Sequence, residues 1–123
     1  MLSGQTALIV EAQYLIALDL QITLEDLGVD KVVIAQNPAH AREMAQDWAD
    51  CSVAIVEVER ELPEHLALIG ELLRRNIHVI GLTADSDLPL NLNWLATTPI
   101  LLKPASSESV VKALSDLLAA QNE

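Results

Sequence analysis

An α/β fold, with a five-stranded parallel sheet covered by helices on both faces, is predicted by three observations. Short apolar runs of strand type recur five times along the 123 residues, and the first four are separated by stretches with helical spacing, the pattern of βαβ units. The runs are apolar throughout rather than alternating, which marks strands buried on both faces. Polar residues stand at the ends of four of them, Glu11, Glu57, Thr83 and Lys103, where the carboxyl ends of parallel strands lie together and open α/β sheets place their ligands and switches.

The elements follow in order. Thr6 to Val10 is a strand, with Glu11 directly after it. Gln13 to Leu27 has helical spacing and stops at Gly28, a residue suited to the left-handed position past a helix end. Lys31 to Ala35 is the second strand. Pro38 opens a second helix in its first turn, with Ala41, Ala45 and Trp48 on its inner face. Ser52 to Val58 is the third strand. Leu62 to Arg75 reads as a helix through Leu62, Leu66, Ile69 and Leu73. Ile77 to Leu82 is the fourth strand, handing over to Thr83. After it Leu88, Leu90 and Leu92 alternate with Pro89 and Asn91, a period of two, so any fourth helix is short or irregular and confined to about Leu92 to Ala96. Ile100 to Leu102 is the last strand, handing over to Lys103 and Pro104. Ser106 to Gln121 is the final helix, capped by Ser106 or Ser107, with Val110, Leu114, Leu117 and Leu118 as its apolar stripe. Right-handed crossovers leave few arrangements of such a chain, and the natural one is the flavodoxin-like order 2-1-3-4-5 in three α/β/α layers, one domain over residues 1–123.

Composition narrows the function. Eighteen acids against seven Lys and Arg give a net charge of −11, which repels a phosphate backbone and disfavours nucleic acid as a partner. No apolar run approaches the roughly 18 residues of a membrane span, and MLSGQT lacks the features of a signal peptide, so a cytoplasmic protein is expected. The single cysteine, Cys51, allows no disulfide and reads as a small apolar group at a strand start. His40, His65 and His78 fall on separate elements without ligand spacing, so no metal site is expected from them. With Tyr14, Trp48 and Trp94 as the only aromatics, the core is aliphatic.

The pieces LIVEAQ at the first strand, AIVEVE at the third, VIGLTA at the fourth and LLKP at the fifth together resemble the receiver domain of bacterial response regulators over nearly the whole chain. The resemblance implies a module of two-component phosphorelay signalling. In that family an aspartate ending the third strand accepts a phosphoryl group from a histidine kinase, an acidic pair after the first strand holds magnesium, and a lysine neutralises developing charge. Carried across, Glu57 stands at the acceptor position, Glu11 and Ala12 at the acidic pair, Thr83 at the switch hydroxyl, Ile100 at the switch aromatic, and Lys103 and Pro104 at the lysine and its following proline. Three of these depart from the pattern. Glu57 projects its carboxylate roughly 1.5 Å further than aspartate. Ala12 removes a metal-binding acid from an ion that favours octahedral oxygen geometry. Ile100 supplies no ring.

The expectation is therefore a stand-alone degenerate receiver, not an enzyme, with no cofactor and its magnesium site lost. Glu57 pairs with Lys103, Glu11 is solvated, and Thr83 serves either a switch or the turn after its strand. A receiver still able to bind magnesium and be phosphorylated is the first alternative. A flavodoxin-like ligand-binding protein is the second, disfavoured because Glu11 stands where a phosphate-cradling loop would lie. Partners are expected among histidine kinases, phosphotransferases and output proteins. Helical projection puts Ile16, Ala17, Leu20, Leu24 and Leu27 on the sheet side of the first helix and leaves Leu15, Leu18 and Ile22 outward beside Tyr14, so a homodimer or helical partner is expected on that face.

Overall fold

The computed structural model describes residues 2–58, 63–85, 87 and 98–121. In chain order it contains β1 (Thr6–Val10), α1 (Tyr14–Asp26), β2 (Lys31–Ala35), α2 (Pro38–Glu43), α3 (Ala45–Trp48), β3 (Val53–Glu57), α4 (Pro63–Arg74), β4 (His78–Thr83), β5 (Ile100–Leu102) and α5 (Ser107–Gln121). All strand pairs are parallel and the order is β2-β1-β3-β4-β5, as predicted. The short helix expected over Leu92 to Ala96 lies outside the described residues.

Alternation along each strand divides the core in two. Ala7, Ile9, Val53, Ile55, Ile80 and Leu82 meet α1 and α5 on one face. Leu8, Val10, Val33, Ala54, Val56 and Val79 meet α2, α3 and α4 on the other. Every residue of β3, the central strand, is buried, which is why its sequence is unbroken by solvent-facing positions. β5 is the shortest strand, three residues at one edge between Pro99 and Pro104.

Helix ends obey local chemistry. Asn37 caps α2 by accepting the His40 N–H at 2.8 Å, with Pro38 in the first turn. Ser106 caps α5 by accepting the Ser109 N–H at 3.1 Å. α1 ends where Gly28 takes φ 101°, so that the Gly28 and Val29 amides reach the Glu25 and Leu24 carbonyls.

Two expectations need correction. The second helix is not continuous: it breaks at Met44, whose φ of −99° and ψ of 19° lie in the bridge region. The buried Trp48 indole N–H donates to the Ala41 carbonyl at 2.7 Å, and Arg75 stacks over the same ring 5.2 Å from its centroid. This tertiary seating of Trp48 accompanies the break. The buried stripe of α4 is His65, Leu68, Ile69 and Leu72, with Leu66 and Leu73 only half-buried at its flank. Leu62 lies outside the described residues. The helix carries apolar residues on two adjacent stripes, and the sheet takes the one turned about one residue, roughly 100°, from that expected.

Candidate functional site

Strand alternation assembles the rim. The series Ala7, Ile9, Glu11 on β1, Val53, Ile55, Glu57 on β3 and Leu101, Lys103 on β5 share one sense of the pleat. Glu11, Glu57 and Lys103 therefore project together from neighbouring carboxyl ends. Lys103 Nζ lies 2.7 Å from Glu11 Oε1 and hydrogen-bonds Glu57 Oε2. The three side chains are 10%, 0% and 9% exposed for Lys103, Glu11 and Glu57. One ammonium thus serves two buried carboxylates.

The remaining oxygens are held by backbone. Gln13 N–H donates to Glu11 Oε2 at 2.9 Å, and Ala12 N–H reaches Glu57 Oε1 at 3.4 Å. The contact between Lys103 and Glu11 Oε1 falls outside hydrogen-bond geometry, so charge rather than a directed bond holds it. Burial by itself would lower the Lys103 pKa. Close contact with the two carboxylates and their charge outweigh that effect and raise it above the usual lysine value.

Glu57 pairs with Lys103 as the sequence predicts. Glu11 is a correction: it is not solvated but 1% exposed. β1 lies inside the sheet between β2 and β3, and the Glu11 amide extends the ladder by donating to the Ala35 carbonyl at 2.9 Å. A residue just past the end of an inner strand remains covered by its neighbours. The signal was in the sequence, since Glu11 shares the pleat sense of Glu57 and Lys103.

Thr83 is the last residue of β4 and is buried, but alternation turns it to the opposite sense from Leu82 and the ion-pair cluster. Its hydroxyl accepts the Asp85 N–H at 3.0 Å, the turn-capping role. Ile100 is half-buried and packs on the α2–α4 side. Its Cγ1 is 3.3 Å from the position a Cβ would take on Gly81, and Val58 Cγ2 is 3.2 Å away, so the backbone of β4 is closely approached there. Pro104 follows a cis peptide and is exposed.

On α1, Tyr14, Leu15 and Ile22 are 67%, 78% and 57% exposed. Leu18 is only half-buried, a partial correction to its outward placement. Buried Thr23, which the projection did not include, donates its hydroxyl to the Asp19 carbonyl at 3.1 Å. Among the described residues no group of three or more His, Cys, Asp or Glu side chains could hold a metal ion, and no helix is long and apolar enough to cross a membrane.

The fold and the rim define a class, the flavodoxin-like α/β domains with a lysine and carboxylates at the carboxyl end of the sheet. The chain belongs to the response regulator receiver domains. It is similar to SdrG from Pseudomonas melonis Fr1, solved in solution in its BeF3-activated conformation, at 30% identity and a TM-score of 0.73 over 96% of this chain and 99% of that one. It is also similar to a response regulator receiver protein from Sinorhizobium medicae WSM419, at 24% identity and a TM-score of 0.76 over 98% of both chains. A response regulator from Thermotoga maritima matches at 22% identity and a TM-score of 0.75, over 94% of this chain and 98% of that one. No family model and no curated protein matches the chain.

The family implies magnesium, and the residues present do not fit it. Ala12 offers no side-chain oxygen at the acidic pair, and the carboxylates of Glu11 and Glu57 are directed onto Lys103. An octahedral ion keeping several waters needs that space and those oxygens.

Proposed function

We propose that this receiver domain works as a phosphorylation-independent contact module of two-component signalling, non-catalytic and held in one state by its own rim. The observation that carries the reading is the single Lys103 ammonium shared by Glu57 and Glu11. The Glu57 carboxylate occupies the place of a phosphorylated acceptor and engages the lysine that would neutralise the phosphoryl group. The partner is a signalling protein of the bacterial cytoplasm, a histidine kinase, phosphotransferase or output protein. Contact is made through Tyr14, Leu15 and Ile22, with Leu18 at the edge of the patch. A second copy of the chain is the competing occupant of that face.

Titrating the 15N-labelled protein with magnesium and beryllofluoride tests the reading, because beryllofluoride mimics a phosphoryl group on an acceptor carboxylate. Amides near Glu57, Thr83 and Lys103 are expected to stay in place. Saturable shifts there would establish the second reading, a receiver that still binds magnesium and accepts a phosphoryl group. That alternative is favoured by the likeness to SdrG, a protein known in a BeF3-activated conformation.

A further inference from the structure

The two carboxylates of the rim divide their oxygens between two kinds of partner. Backbone amides hold one oxygen of each: the Gln13 N–H donates to Glu11 Oε2 at 2.9 Å and the Ala12 N–H reaches Glu57 Oε1 at 3.4 Å. The other two oxygens, Glu11 Oε1 and Glu57 Oε2, converge on one point, and the Lys103 ammonium sits there. Glu11 Oε1 belongs to a fully buried side chain and accepts no hydrogen bond. What it needs from its neighbour is positive charge, not a directed donor.

Two carboxylates and one ammonium leave the cluster one charge short of neutrality. A divalent ion at the same point would neutralise it, and such ions are held by as few as one or two carboxylates, with water completing their shell. The Lys103 side chain is 10% exposed, so water has access to that point.

The ammonium has the advantage of being attached. The Lys103 N–H donates to the Thr83 carbonyl at 2.8 Å, which fixes the root of the side chain at the end of the sheet. A free ion would have to displace a tethered charge and would leave that ammonium beside it, two cations in a medium of low dielectric constant. Ala12 carries no side-chain oxygen that could tip the balance toward the ion.

We infer that Lys103 is the tethered counter-ion of this rim. Its ammonium takes the divalent-cation position between Glu11 and Glu57, makes the folded, contact-competent state independent of metal ions, and masks a two-carboxylate site that opens when the ammonium is removed. The inference rests on the fixed-state reading above and says what stands in for the metal within it.

The test uses manganese(II), whose paramagnetism broadens the amides near the ion, on the 15N-labelled full chain. In the wild type, the amides of Glu11, Ala12 and Glu57 are expected to keep their intensity at concentrations that broaden exposed acids such as Asp19 and Asp26, and EDTA is expected to leave the urea midpoint unchanged. In Lys103→Met the rim amides are expected to broaden saturably and before those of Asp19 and Asp26. Its urea midpoint should rise by roughly 0.5–1.4 M at about ten times the dissociation constant. Lys103→Gln, a milder change because its amide can still donate to Glu57, is expected to show the same broadening more weakly and serves if the methionine variant does not fold. Adding Glu11→Gln to either variant should abolish it. Absence of rim-selective broadening in both Lys103 variants, or broadening that survives Glu11→Gln, would overturn the inference and leave the fixed-state reading standing. Rim-selective broadening in the wild type would overturn both, in agreement with saturable beryllofluoride shifts.

Discussion

Replacing Lys103 by methionine keeps most of the length of the side chain and removes its charge. Glu11 and Glu57, whose side chains are 0% and 9% exposed, are then two carboxylates facing each other without a counter-ion. At the 2.7 Å separation of Lys103 and Glu11, the gross attraction is about 6 kcal/mol at an effective dielectric constant of about 20. Desolvation of the three groups offsets much of that. The net loss on deleting one partner of a buried pair is about 3–5 kcal/mol, a large share of the roughly 5–15 kcal/mol that holds a domain folded. With urea m-values of about 1–3 kcal/mol/M, the midpoint followed by circular dichroism should fall by roughly 2 M. Adding Glu11→Gln to Lys103→Met should recover part of the loss, because one orphaned charge is removed. A Lys103→Met protein within 1 kcal/mol of wild type, or a double variant no better than the single one, would refute the view that these three groups form one buried cluster.

Two further tests address the packing around the sheet. Burial pushes the Cys51 thiol up to about 11 from 9.0, against the opposing pull of Arg75. The unfolded thiol ionises first, so stability should fall from pH 9 toward 11 by at most about 2–3 kcal/mol, and the folded thiol should resist alkylation at pH 8. The raised Lys103 pKa acts in the same sense above 10.5, so in Cys51→Ala the alkaline fall should begin later. An unchanged profile by urea denaturation at stepped pH would contradict the assignment. Gly81→Ala places a Cβ 3.2 Å from Val58 Cγ2 and 3.3 Å from Ile100 Cγ1, an overpacking that should cost about 1–3 kcal/mol. Combined with Ile100→Ala, the loss should be smaller than the sum of the two single changes, and strict additivity would count against the contact.

The strands and their order were legible because short apolar runs contrast sharply with the helical spacing between the first four of them, and right-handed crossovers leave little freedom after that. The break at Met44 was not legible, since it accompanies a bond between Trp48 and the Ala41 carbonyl that only the folded core brings about. Nor was the buried face of α4, where Leu66 and Leu73 compete with Leu68 and Leu72 on adjacent stripes. At the rim, the pairing of Glu57 with Lys103 followed from their places at strand ends. The burial of Glu11 and the separate turn of Thr83 follow from counting the pleat back along β1 and β4. That count was available in the sequence, but it carries weight only once the neighbours of each strand are known.

The brevity of β5 has a bearing on how this chain stays in solution. An edge strand offers unpaired amides that can recruit another chain and propagate a sheet. Lys103 N–H points inward to the Thr83 carbonyl, so alternation leaves the amides of Ile100 and Leu102 facing outward, and the next position in that series is Pro104, which has none. An incoming strand would find two donors and then nothing. On the opposite edge β2 begins with the exposed charge of Lys31. In a chain that is 51% hydrophobic, a proline after a three-residue strand and a lysine at the head of the other edge guard against aggregation where the sheet is most open to it.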